Sequence, residues 1–161
     1  MVLMIAYTFN GLMSQEAGTM ILGNGLRLRF LPKLQYRLVS IVLVIHTGSG
    51  VENEELCGLA HFLEHLVFKG SNESGHFCFP DRIEQLGGDI CGQTSWNYTL
   101  LRITIHSKHL GVVLGELSRL LQFFHRYESS LEEEKNVVYQ ELAFRSDDLE
   151  WVLRHRLYAI T

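Results

Sequence analysis

The run "LCGLAHFLEHLVF", Leu56 to Phe68, is apolar except at His61, Glu64 and His65. Those three are the side-chain types that bind metals and move protons. His61 and His65 are four residues apart, so on a helix both imidazoles project from one face, about 40° apart. Glu64 comes one residue before His65 and lies at the edge of the same face. A buried carboxylate beside two imidazoles is costly unless its charge is compensated, and a divalent cation supplies that compensation. Imidazole nitrogens suit zinc, and a catalytic zinc site takes three protein ligands and a water. Glu64 is then placed to take a proton from that water, whose pKa the metal lowers. The plainer reading is a pair of core or surface histidines at a chance spacing. HxxEH alone leaves both open, because a third ligand is missing.

Candidates for that ligand lie in "SLEEEKNVVYQELAF", Ser130 to Phe144. Glu134 and Glu141 are seven apart, two helical turns, and share a face. Glu132, Glu133 and Lys135 fit a solvated face. Glu141 stands among Tyr139, Leu142 and Phe144, a carboxylate in apolar company. The spacing is equally compatible with ordinary surface glutamates on an amphipathic helix.

The elements that must position these groups are legible in outline. Thr19 to Pro32 reads as a strand, a Gly-Asn-Gly turn and a second strand in which Leu26, Leu28 and Phe30 alternate with arginines. Leu38 to Ile45 is an aliphatic central strand, too short to span a bilayer. A glycine-rich loop and the polar cluster Glu52 to Glu55 lead into the helix of the histidines, which stops near Gly70. "PDRIEQLGG" has the punctuation of a short helix, and two strands follow around Ser95-Trp96-Asn97. A longer helix is expected over Ser107 to Tyr127. Ser130 and Glu133 resemble a capping box opening another, which continues past Ser146 towards Tyr158. Strands first and helices distributed among them predict an α+β two-layer sandwich, mainly antiparallel sheet packed on helices. Residues 1–18 read as an N-terminal extension and 19–161 as the domain.

With 161 residues, 47% hydrophobic and 20% charged, the chain has the size and composition of one globular domain. A net charge of −4 implies neither nucleic acid nor an anionic membrane as partner. Cys57, Cys78 and Cys91 contain no CxxC pair and read as reduced thiols, Cys57 and Cys78 as small hydrophobes. The apolar start has no basic residue before it, so no signal peptide is expected and the compartment reads as cytoplasmic, with mitochondrial or other organellar placement also open.

"GLAHFLEHLVFKGS", Gly58 to Ser71, closely resembles the zinc-site signature of the insulinase/pitrilysin family of metallopeptidases, the inverted zincins. The likeness continues in order through "LGNGLRL", "HTGSGVENEELCGLAH", "FPDRIEQLGGDI" and "EEEKNVVYQELAF", covering most of residues 19 to 150. It implies the mitochondrial processing peptidase-like metallohydrolase fold. It also implies zinc on His61, His65 and Glu141, with Glu64 as general base and Glu134 supporting the site from outside the ligand set. The strand at Cys91, Gly92, Gln93 and Thr94 matches the edge on which the family pairs peptide substrate as an added β-strand. The expected activity is zinc-dependent hydrolysis of short or unfolded peptides.

Two features depart from that family. Cys91-Gly92 stand where it usually has Asn-Ala, removing an amide that would bond substrate backbone. Its members are also built from repeated, longer domains that close as a clamshell, a distant half supplying Arg and Tyr groups. The chain therefore resembles the zinc-bearing half of one domain. A non-catalytic or partner-dependent subunit, completed by a second subunit or C-terminal half, is the alternative function. A further one is S-ribosylhomocysteine lyase, which is similar in length, uses HxxEH with zinc and adds a catalytic cysteine for which Cys91 is suitably spaced. Its third ligand is a cysteine, however, and none follows Cys91.

Overall fold

In a computed structural model, the chain is described over residues 2–7, 17–32, 36–69, 78–123 and 131–147, together with 149, 152–153 and 157. Its core begins with two neighbouring strands. β4 (Leu38–Ile45) buries Val39, Ile41 and Leu43 on one face, and β6 (Thr99–His106) buries Leu101, Ile103 and Ile105. The antiparallel register puts Val39 opposite Ile105, Ile41 opposite Ile103 and Leu43 opposite Leu101, so the apolar side chains form one continuous face. Two helices seal it: α2 (Phe79–Gln85) with Phe79 and Ile83, and α3 (Leu110–Phe123) with Val113, Leu117 and Leu120. This is the two-layer sandwich expected from the pattern.

The sheet has six strands in the order β2-β3-β1-β4-β6-β5, with β1 at Val2–Tyr7, β2 at Gly18–Ile21, β3 at Arg27–Pro32 and β5 at Asp89–Thr94. Every pairing is antiparallel except β1 with β3. One expectation fails here. Residues 1–18 do not stand apart as an extension, because Val2–Tyr7 lie inside the sheet between Arg27–Pro32 and residues 40–44. The run "VLMIAY" has no polar alternation, so its distant partners define it as a strand.

Helix α1 (Leu59–Lys69) carries the histidine motif and packs against β5 and β6 on one side and α4 (Leu131–Ser146) on another. It is less enclosed than its composition suggests, since Leu59 and Leu63 are each 39% exposed. Along α4, Glu134 and Val138 are buried and Glu141 is half-buried, whereas Val137, Tyr139 and Phe144 are exposed. Ser107–His109 form a 3-10 turn, so α3 starts three residues later than expected. The expected end of that helix at Tyr127, the cap at Ser130, the stop at Gly70 and the continuation to Tyr158 lie outside the described residues. Cys57 is exposed rather than packed as a small hydrophobe.

Candidate metal centre

The start of α1 is built before its chemistry. Glu52 reaches past the 3-10 turn Glu54–Leu56, and its carboxylate accepts from the backbone N–H groups of Gly58, at 2.7 Å, and Ala60, at 2.6 Å. Those donors belong to the first turn, where the helix supplies no acceptor and its dipole favours negative charge. One turn later the imidazoles emerge on a single face, edge to face, with ring centroids 4.6 Å apart.

Three ligand atoms converge there. His61 Nε2 and His65 Nε2 are 3.2 Å apart, and Glu141 Oε2 is 3.1 Å from the second and 3.7 Å from the first. A tetrahedral ion bonded at about 2.0–2.1 Å holds its ligand atoms about 3.3–3.4 Å apart, so this triangle has the size of one face of a zinc tetrahedron. The other nitrogen of His65, Nδ1, lies 3.1 Å from Glu134 Oε1. A carboxylate only accepts, so Nδ1 donates the hydrogen bond, and in the neutral ring the Nε2 lone pair faces the triangle. The Nε2 atoms of His61 and His65 and a Glu141 oxygen thus meet with one side open to solvent, the three side chains being 16%, 22% and 30% exposed. One proton bridges a single pair of them, whereas a divalent cation satisfies all three. The donor set, two imidazoles and a carboxylate, fits zinc.

Glu64, at the edge of the histidine face of α1, is held by β5. Its Oε2 accepts a hydrogen bond from Thr94 Oγ1 at 2.5 Å. A Cβ on Gly92 would lie 2.5 Å from Glu64 Oε1 and 2.7 Å from Phe68 Cε2, so only glycine leaves room for the carboxylate as it stands. The strand register explains the selection. Ile90, Gly92 and Thr94 oppose Ile103, Leu101 and Thr99 on the face towards α1, whereas Cys91 opposes Arg102 on the far face. Cys91 therefore points away from the histidines, which removes the ground for a catalytic thiol there. β5 is also the edge of the sheet. Ser95 N donates to Tyr98 O at 2.8 Å, and alternation along an antiparallel ladder then turns the backbone N–H and C=O of Gly92 and Thr94 towards the open edge.

The described residues thus bring together His61, His65, Glu134 and Glu141 in one cluster, with Glu64, Gly92 and Thr94 in a second contact set on the same helix. The spacing argument alone did not separate Glu134 from Glu141; the geometry does. It also adds Glu52, which the sequence signals only as acidic residues preceding a helix.

The sequence pattern described as Insulinase (Peptidase family M16) matches residues 32–161. The chain belongs to the insulinase family. Among its relatives, it is 34% identical over 126 residues to YmxG of Bacillus subtilis, named an uncharacterized zinc protease, covering 77% of this chain and 30% of that one. To the human mitochondrial-processing peptidase subunit beta it is 31% identical over 120 residues, covering 74% of this chain and 24% of that one. A solved structure, that of a protease from Helicobacter pylori, superposes with a TM-score of 0.66 at 25% identity, over 83% of this chain and 32% of that one. The chain therefore spans about a quarter to a third of the length of these relatives.

Proposed function

We propose that this chain carries the zinc centre and general base of a metalloendopeptidase acting on extended peptides. The observation that carries the reading is the triangle of His61 Nε2, His65 Nε2 and Glu141 Oε2, at 3.1–3.7 Å, on the helix that also presents Glu64. His61, His65 and Glu141 would hold zinc, which when bound would supply Lewis-acid polarisation of the scissile carbonyl and of water. Glu134 keeps the His65 ring oriented by accepting from Nδ1. Glu64 removes the proton of the attacking water and returns it to the departing amine nitrogen, so the peptide bond breaks with no net proton change at the enzyme. The open edge of β5 pairs with substrate backbone at Gly92 and Thr94, which requires an extended and hence unfolded or short peptide.

Glu64→Gln tests the reading. The expected protein retains one equivalent of zinc and loses peptide hydrolysis; hydrolysis retained by a zinc-replete Glu64→Gln protein refutes the role of Glu64. A second reading, a subunit active only when completed by a partner or a further domain, is supported by the short span of the chain against its relatives and by the subunit name of the human one. It predicts zinc binding without hydrolysis by the chain alone, and hydrolysis once the completing polypeptide is added.

A further inference from the structure

We propose that Gly92 and Thr94 are positioning residues for the Glu64 carboxylate, so that one stretch of β5 sets both the base and the peptide it acts on. The inference rests on the peptidase reading for its functional meaning, but its geometry stands on separate contacts. Thr94 has a single hydroxyl proton, and it goes to Glu64 Oε2. The hydroxyl of a residue on the strand that the family resemblance assigns to substrate pairing is therefore occupied by the base. The second carboxylate oxygen, Oε1, lies over Gly92, 2.5 Å from where a Cβ would stand. One oxygen is tethered and the other has room only because a side chain is absent.

The same two residues turn their backbone N–H and C=O towards the open edge of the sheet. A peptide paired there is located relative to Gly92 and Thr94, and so is Glu64. The separation between base and scissile bond is then set by β5 together with the Thr94–Glu64 hydrogen bond that ties the α1 carboxylate to it. Proton transfer demands such control, because misplacement of a reacting group by about 1 Å costs on the order of 100-fold in rate.

The test compares the parent chain with Thr94→Ser, Thr94→Val and Gly92→Ala, measuring zinc content, kcat and KM on an unstructured peptide, and crystal structures of the zinc-loaded proteins. All four are expected to hold one zinc. Thr94→Val lowers kcat by about 10- to 100-fold with KM unchanged, and Thr94→Ser restores it by keeping the hydroxyl. Gly92→Ala meets the Glu64 carboxylate and the Phe68 ring, both side-chain ends, and is expected to lower kcat by displacing Oε1; its folding is checked by its urea midpoint. Parental kcat in Thr94→Val, equal defects in Thr94→Val and Thr94→Ser, or loss of zinc from Thr94→Val each overturn the inference. If the zinc-loaded parent hydrolyses no peptide, the peptidase reading fails on its own. The crystal structures then decide the positioning: a Glu64 carboxylate displaced in Thr94→Val but not in Thr94→Ser supports it, and an unmoved one overturns it.

Discussion

Replacing Glu134 tests how far an orienting carboxylate strengthens the metal centre. Its side chain is 9% exposed and accepts from His65 Nδ1 at 3.1 Å, so solvent does little to screen the contact. A hydrogen bond with a charged partner contributes about 1.5–3 kcal/mol net, and each 1.4 kcal/mol is tenfold in affinity. Glu134→Ala is therefore expected to weaken zinc binding by about 10- to 100-fold, the range found when the partners of metal-bound histidines are removed. Glu134→Gln keeps an acceptor oxygen but no charge, and neutral hydrogen bonds are roughly half as strong, giving a loss of about 3- to 10-fold. Glu141→Ala removes one of the three proposed ligands and is expected to exceed both. Competition against a chromophoric chelator at fixed pH measures all three. A Glu134→Ala protein that binds zinc as tightly as the parent refutes the orienting role. One that loses as much as Glu141→Ala refutes the distinction between ligand and support.

Other consequences follow from the same contacts. Glu52→Ala leaves two first-turn N–H groups of α1 without their acceptor and is expected to cost about 1–3 kcal/mol, read as a lower urea midpoint at constant slope. Under alkylation at mildly alkaline pH, the exposed Cys57 reacts ahead of Cys78. Burial, with the nearby Asp81 and Glu84 carboxylates adding to it, raises the Cys78 thiol above its ordinary pKa, so less thiolate is present; the peptide mass map shows the order. Zinc at about 100 times its Kd should stabilise the fold by about 2.7 kcal/mol over the chelated protein. In scanning calorimetry that difference is expected to collapse in Glu141→Ala.

The two central strands, the two sealing helices and the histidine pair were legible because each rests on a local signal: an aliphatic run in β4, alternation in β6, proline and glycine punctuation around α2, apolar spacing along α3 and a spacing of four on α1. The pair Glu134 and Glu141 was legible as a shared face of α4, yet their separate roles were not. They depend on which edge of the His65 ring each carboxylate meets, and that is set by the packing of α4 across α1. Thr94 was read as part of a substrate strand; its bond to Glu64 spans 30 positions of sequence and exists only because β5 lies beneath α1. β1 was missed for the same kind of reason, its partners being remote in sequence. Glu52 appeared only as one acidic residue among several before a helix start. Its reach to Gly58 and Ala60 depends on the intervening 3-10 turn.

The clasp at the tip of the β5–β6 hairpin bears on how a batch of this protein could mislead. Ser49 N donates to Ser95 O and Gly50 N to Trp96 O, and a Cβ on Gly48 would collide with the Ser95 carbonyl. These bonds fix the hairpin against the glycine loop and hold β5 in phase. A slip of one residue would invert every side chain of that strand. Cys91 and Gln93 would then lie under α1, with neither a hydroxyl for Glu64 nor a gap for its carboxylate. Helix content, sheet content and the histidine triangle would survive, so circular dichroism and zinc titration would both pass such a sample as native. A bulky residue at Gly48, which is no part of the metal centre, could thus yield a well-behaved, metal-loaded and inert protein.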